Sequence, residues 1–488
     1  MNAGLNGPQT PWRGTRRRPA GRGRARDFAG RGTVLTGIAL GARAKGSNRG
    51  ATRPGRAPRR GATWTARWPG PPVGGAGRPA LTRWADRGPG RAPAGGAACD
   101  SPAPRLELHK SRPPGRHQDV PGRASMNDTS NINSVLFLGP TDVKDVITME
   151  KAIDLVEEGY RGAVEFPLIN APRRRVHSPE GVRVSNFPGG IDSLGVIGSL
   201  TRAESVSHDP KNQVYPYREH PVYLLWDSET AHLKAIMMGE ITEKRVGFSS
   251  VMALRTGATT GVGIRHLARK NSEVAGVYGT GGQALHKVLA CSSERAIKKY
   301  KIYSRNPDNR KAFIEKLAPL VDAEFEDLDD PREVCRDTDI VICATNSNVP
   351  VFDGDWLEPG QHVITVVGSN NSLVKGGWLE SGRRENDDRT CERASFIVTN
   401  WKESVIQDGQ AGLMEPIEAG VITWDKIVEL GEIISGAHPG RTTDDEITYH
   451  ANNNGTAASD LAIAQWVHDK CVEMGRGQKI EIPVPGTQ

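Results

Sequence analysis

The sequence predicts an α/β protein, in which a parallel-sheet domain of alternating strands and helices is joined to a mixed α+β domain. Three observations carry this. From Val274 onward, short apolar runs alternate with amphipathic stretches, as strand–helix units of a parallel sheet do. Between Val182 and Met238, β-type runs are separated only by Gly, Asp and Pro, which suits a mixed, largely antiparallel region. The charge is split: of the +7 carried by 488 residues, residues 1–125 account for +20 and the other 363 for −13.

Residues 1–125 are about half Gly, Pro and Arg, with few large apolar side chains and no sustained period of 2 or 3.6. Such a segment does not bury enough apolar surface to offset its ordering entropy, so it is expected to be a disordered extension. A nucleic-acid-binding tail, a transit peptide and a start codon set too early all suit that composition. The stretch lacks the Ser-rich amphipathic pattern of transit peptides, and ordinary composition begins at Met126, so the early start is the reading adopted. Nucleic acid is a partner only if the extension is real. The acidic remainder has no 18-residue apolar run, so no membrane span is predicted. Six cysteines without C-x-x-C or clustered histidines read as reduced thiols of a cytoplasmic protein, and no metal site is predicted.

The elements follow in order. Val135–Leu138 opens as a strand closed by Gly139-Pro140, and the apolar spacing over Asp142–Arg161 predicts a helix. Leu194–Leu200, Val222–Trp226 and Leu233–Met237 are β-type runs, and Ser249–Ala268 is a helix of small residues suited to close packing. Strands are then expected at Val274–Tyr278, Lys301–Arg305, Ile340–Ala344, Val363–Val367 and Phe396–Thr399. Helices are expected from Gly282, over Pro307–Leu317 and over Ala457–Cys471. The acid runs Glu324–Asp330 and Asp387-Asp388 read as solvated loops.

The strongest motif is Gly279-Thr280-Gly281-Gly282-Gln283-Ala284, placed after one strand and before a helix. The first glycine permits the tight turn, the second admits the backbone to a pyrophosphate, and Ala284 lets helix and strand pack. This defines a Rossmann-type dinucleotide-binding domain. The next strand ends in Ser304-Arg305 with no acid for a ribose 2′-hydroxyl, whereas both residues suit a 2′-phosphate. NADP(H) is therefore the expected cofactor, with NAD(H) possible.

With Arg255-Thr256-Gly257 ahead of that loop, Ala344-Thr345-Asn346-Ser347 after it, and then Trp356-Leu357-Glu358-Pro359-Gly360, the chain resembles the ornithine cyclodeaminase/mu-crystallin family from about Met126 to its end. Beyond the extension 1–125, which it does not cover, the resemblance implies a homodimer and two domains: a substrate and dimerisation domain from 126–255 and 446–488, and a Rossmann domain over 256–445. It places Thr345, Asn346, Val367 and Gly368 with the cofactor. It assigns Arg255 and Arg173 to the carboxylate of a small-molecule amino acid or imine, a role that suits the forked guanidinium.

Two departures are read against cyclodeaminases: Ile197 where they place a lysine, and Asn370 where they place a carboxylate. Asn370 can hydrogen-bond a substrate but cannot take its proton. His177, His208 and His232 are nearby acid–base candidates, and Asn452–Gly455 precedes the last helix where the family's chain nears the active site. The expected function is an NADP(H)-dependent oxidoreductase, an imine reductase or amino-acid dehydrogenase, acting on a C–N bond. The alternatives are an ornithine cyclodeaminase-type ammonia lyase and a non-catalytic nucleotide-bound carrier or accessory subunit.

Overall fold

The computed structural model describes residues 132–206, 215–247, 249–367, 371–377, 379–453 and 455–483. The extension 1–125 lies outside them, as do His208, Gly368, Asn370 and Asn454.

The described chain builds two eight-stranded sheets. The first is mixed, in the order Gln478–Pro483, Ile132–Leu138, Leu233–Met238, Val222–Asp227, Val196–Ser205, Val182–Ile191 and Arg174–His177, with Tyr217–Arg218 pairing beside Val196–Ser205. Within it, Ile132–Leu138 runs parallel to Leu233–Met238, and the other pairs are antiparallel.

The second sheet is wholly parallel. Its order is Glu324–Asp327, Lys299–Tyr303, Val274–Tyr278, Ile340–Cys343, His362–Thr365, Thr448–Ala451, Phe396–Thr399 and Ile427–Glu429. Chain order reverses beside Val274–Tyr278, a switch point of the kind that opens a crevice at the strand ends. Thr448–Ala451 pairs in this sheet, although it falls in the segment 446–488 that the sequence reading joins to the other domain.

Close approach explains the small residues of the helix Val251–Leu267. A Cβ on Gly257 would lie 2.8 Å from His286, in the helix Gly282–Glu294, and one on Gly261 would lie 2.5 Å from Ile153, in the helix Met149–Glu165. The last helix, Ala457–Glu473, meets the first as tightly, since a Cβ on Gly159 would reach 2.8 Å from the Ala458 carbonyl.

Three expectations are corrected. The first helix starts at Met149 rather than Asp142, because the Asp142 carboxylate accepts the Gly139 N–H (2.8 Å) and closes a turn. The expected strand Lys301–Arg305 spans Lys299–Tyr303, because Asn306 caps the next helix by accepting the Asp308 N–H (2.9 Å). The acid run is in part a strand, Glu324–Asp327, held at the sheet edge by Phe325 stacked on Tyr300 and by the ion pair of Lys299 with Glu324. Among the described residues no helix is long and apolar enough to cross a membrane, and five cysteines there are free and buried.

Candidate active site

The glycine loop leaves the strand Val274–Tyr278 at the switch point. Gly279 has φ +107°, and a Cβ there would lie 2.3 Å from the Ala344 carbonyl, so conformation and space both demand glycine. Its N–H donates to the Tyr303 carbonyl at 2.9 Å. Gly281 and Gly282 differ, because a Cβ on either meets nothing within 4 Å. Gly281 caps the helix Gly282–Glu294 without a side-chain bond, which leaves first-turn N–H groups to an anion. Open glycines before an uncapped helix N-terminus fit the pyrophosphate of a dinucleotide. Ala284 is fully buried, as helix–strand packing requires.

Beyond the loop, Ser304 and Arg305 follow the adjacent strand. Ser304 donates through Oγ to the Asn306 carbonyl (3.1 Å), and Arg310 donates to the Ser304 carbonyl (2.8 Å), which fixes the turn. Arg305 is exposed. At the next strand ends one fully buried carboxylate, Glu385, accepts the N–H (2.6 Å) and hydroxyl (2.7 Å) of Thr345 and the N–H groups of Val366 (2.8 Å) and Val367 (3.0 Å). Asn346, beside Thr345, is exposed.

Facing the loop across a cavity of about 1040 Å³ is a wall of arginines. Antiparallel register builds it on one face of the mixed sheet. Arg175, Ser185 and Arg202 form one row, and His177, Arg183, Glu204 and Arg218 the next. Arg183 donates to Glu204 through Nε (3.2 Å), and Arg218 pairs with the same carboxylate (3.1 Å), so two guanidiniums share one anion. Arg202 pairs with Glu240, whose other oxygen accepts the Val251 N–H at 2.7 Å. Arg173 also lines the cavity and donates to Asp408 (2.7 Å) and to the Asn453 side chain (3.2 Å). Arg175 meets the other Asp408 oxygen at 3.1 Å. Burial, with Arg173 beside it, pushes the Arg175 guanidinium down to about 9.

The cavity thus brings Arg173 together with Thr280, Gly281, Gly282 and Gln283. Arg255, Ser304, Arg305, Thr345, Asn346 and Val367 are not among its lining residues. Arg255 is buried and donates to Asp460 at 3.0 Å. Ile197 corrects the reading of that strand: the buried positions Val196, Leu200, Arg202 and Glu204 share one face, and Ile197, 43% exposed, lies on the other. It therefore does not wall the pocket. His232 is exposed, in the turn before Leu233–Met238.

Sequence reasoning missed Asp408, Asp460, Glu385 and Lys287. Lys287, in the helix after the glycine loop, is fully buried, and its Nζ donates to the Thr260 hydroxyl at 2.9 Å. Burial pushes its ammonium down to about 7 against the pull of Glu385. Asn452 donates to the same hydroxyl (2.9 Å) and to the Thr256 carbonyl (3.0 Å).

A parallel sheet with an uncapped glycine turn at its switch point, facing an arginine wall on a second sheet, defines a Rossmann-type dinucleotide-binding protein. The chain belongs to the ornithine cyclodeaminase/mu-crystallin family, whose profile spans residues 135–475. It is 30% identical over 294 residues to a Delta(1)-pyrroline-2-carboxylate reductase of Bacillus cereus, covering 60% of this chain and 82% of the relative. Its fold is similar to Delta(1)-pyrroline-2-carboxylate reductase of Thermococcus litoralis in complex with NADH and L-proline, at 27% identity and TM-score 0.59, covering 71% of this chain and 100% of that one. An archaeal alanine dehydrogenase dimer with bound NAD is similar at 25% identity and TM-score 0.58, covering 71% and 99%.

Proposed function

We propose that this chain is an NAD(P)H-dependent oxidoreductase acting at the C–N bond of a carboxylate-bearing imine or amino acid, as a cytoplasmic homodimer that prefers NADP(H). The observation that carries this reading is the single cavity that joins the glycine loop to the arginine wall. The relatives add support, since the Bacillus cereus relative is named a pyrroline-2-carboxylate reductase, the Thermococcus litoralis reductase holds NADH and L-proline, and the archaeal alanine dehydrogenase holds NAD.

When bound, a reduced nicotinamide would supply the hydride for the imine carbon, balanced by one proton from solvent at the nitrogen. The chain's own residues orient both partners. Thr280–Gln283 and the helix N-terminus receive the pyrophosphate, and Ser304 and Arg305 receive a 2′-phosphate beyond the second strand. The arginine wall, Arg173 included, draws in the carboxylate and sets the carbon toward the loop. Arg255 stands outside the cavity lining, where its pairing with Asp460 joins two helices of the frame around the site.

Absorbance of NADPH and NADH against a panel of cyclic and α-imino acids tests the reading. Oxidation of either cofactor with at least one carboxylate-bearing imine is the expected result. Release of ammonia from ornithine without net change in cofactor would replace it with the cyclodeaminase reading, and absence of any turnover with the carrier reading.

A further inference from the structure

The helix Gly282–Glu294 carries a buried cation that hydride transfer does not use. Lys287 is fully buried, and its Nζ donates at 2.9 Å to the Thr260 hydroxyl, a neutral partner in place of a carboxylate. Glu385 attracts it through space and Arg255 repels it. On the neighbouring strand, burial first and Lys287 second hold the His450 imidazole neutral. A buried ammonium bonded to a hydroxyl costs stability rather than adding it, so packing alone does not account for its presence.

The bond leads toward the site. Thr260 Oγ1 donates to the Thr256 carbonyl (3.0 Å) and accepts both Lys287 and the Asn452 side chain (2.9 Å). Asn452 also donates to the Thr256 carbonyl, and its oxygen accepts the Asn400 side chain at 3.0 Å, so its amide has one orientation. Its backbone N–H donates to the Thr365 carbonyl at 2.9 Å. The next residue, Asn453, donates to the Val366 carbonyl and accepts Arg173 on its side-chain oxygen at 3.2 Å. Two residues further, the Gly455 backbone lies against the Arg255 guanidinium. The segment anchored through Lys287 therefore meets both arginines that the family resemblance assigns to the substrate carboxylate.

We infer that Lys287 is a positioning residue of the substrate site, acting through Thr260 and Asn452 to hold Asn453 against Arg173. This deepens the proposed reading and rests on it for the identity of the ligand as an imino or amino acid. Lys287 stands outside the cavity lining, whereas Arg173 belongs to it, so the lysine works on the ligand at one remove. A charged donor on Thr260 polarises that hydroxyl toward the Thr256 carbonyl and leaves its lone pairs to Lys287 and Asn452, which tightens the whole chain of bonds.

Calorimetric titration of the cofactor-loaded protein with L-proline, L-alanine and L-aspartate, alongside thermal denaturation, tests the assignment without relying on turnover. Lys287→Met removes the charge and keeps an unbranched side chain, so its melting temperature is expected to stay level or rise while amino-acid affinity falls about tenfold. A purely structural lysine would not give that split. Thr260→Ser, which keeps the hydroxyl, should retain the affinity, and Lys287→Met/Thr260→Val should show the loss. Arg173→Lys weakens binding by itself, and adding Lys287→Met to it should cost less than about threefold more, because the lysine acts through that arginine. Equal amino-acid affinity in the unmodified protein and Lys287→Met would overturn the inference even if imine reduction is observed, as would an undiminished loss in the Arg173→Lys background. A loss of affinity matched by a lower melting temperature would return Lys287 to a structural role. Amino-acid binding that depends on Lys287, without cofactor oxidation by any imine, would leave the positioning role standing and remove the reductase reading. Failure of every amino acid to bind the loaded, unmodified protein would also overturn the inference.

Discussion

Arg255 donates through Nε to Oδ1 of Asp460 at 3.0 Å, joining two helices whose residues stand 205 positions apart in the chain. Arg255 is 4% exposed and Asp460 not at all. Burial pushes the Asp460 carboxyl up, while Arg255 pulls it back toward the charged form. The Gly455 backbone lies directly against the guanidinium, and a Cβ there would come within 1.8 Å of Nη1. Removing one partner strands a buried charge, so Arg255→Ala and Asp460→Ala are each expected to lose about 3–5 kcal/mol in urea denaturation. Arg255→Met/Asp460→Leu should recover most of that. A loss in the double variant equal to the sum of the single losses would show that the pair does not act as a unit.

The glycines of the loop divide by purpose. Gly279→Ala faces a positive φ and a carbonyl 2.3 Å away, so it should cost about 2 kcal/mol or more of stability. Gly281→Ala enters open space on extended backbone, so its stability should change by less than about 1 kcal/mol. Its cofactor affinity should nevertheless fall about tenfold or more, because the methyl group occupies the place of the pyrophosphate. Thermal denaturation with and without cofactor separates the two effects, and a Gly281→Ala variant with full affinity would move the pyrophosphate elsewhere.

Arg305 is exposed beyond the second strand with no carboxylate beside it in sequence, and it is expected to contribute about 1.5–3 kcal/mol toward a 2′-phosphate. Arg305→Asp should reverse the preference toward NAD(H). Fluorescence titration with both cofactors checks this, and equal affinities in the unmodified protein would count against the NADP(H) assignment.

Lys287 makes stability depend on pH. Its ordinary value of 10.5 falls to about 7 in the folded chain, so between those values the unfolded chain binds a proton that the native state does not. Stability attributable to this group therefore rises with pH across that window, and below it the buried charge is destabilising. Lys287→Met should have its greatest advantage over the unmodified protein near pH 6, shrinking by a few kcal/mol as pH approaches about 10. Denaturation midpoints at pH 6, 8 and 9.5 test this, and a constant difference would place the Lys287 titration elsewhere.

Features encoded over a few neighbouring residues are legible in the sequence. The glycine loop, the small-residue helix and most strands of the parallel sheet belong to that class, because a turn, a close contact or an apolar run leaves a local pattern. Asp408, Asp460 and Glu385 leave none. Asp408 sits in Gln407-Asp408-Gly409 and Glu385 in Arg384-Glu385-Asn386, contexts that look solvated, and only partners far along the chain bury them. Glu324–Asp327 reads as a loop because its acids outnumber its one aromatic, whereas Phe325 and three ion pairs, of Lys299 with Glu324 and Glu326 and of Arg310 with Asp327, decide its state. Ile197 shows the sharper failure. Strand parity puts it on the outer face, and only the pairing of Val196–Ser205 with Val182–Ile191 reveals that. An isoleucine there consequently says nothing against ornithine cyclisation.

The mixed sheet takes its second strand, Ile132–Leu138, from one end of the described chain and its outermost strand, Gln478–Pro483, from the other. During translation the former must therefore wait, with one row of backbone groups unmet, while the whole parallel sheet is made. A nascent or proteolysed chain ending before Gln478 would present Asn133–Phe137 as an open ladder able to recruit a stray strand.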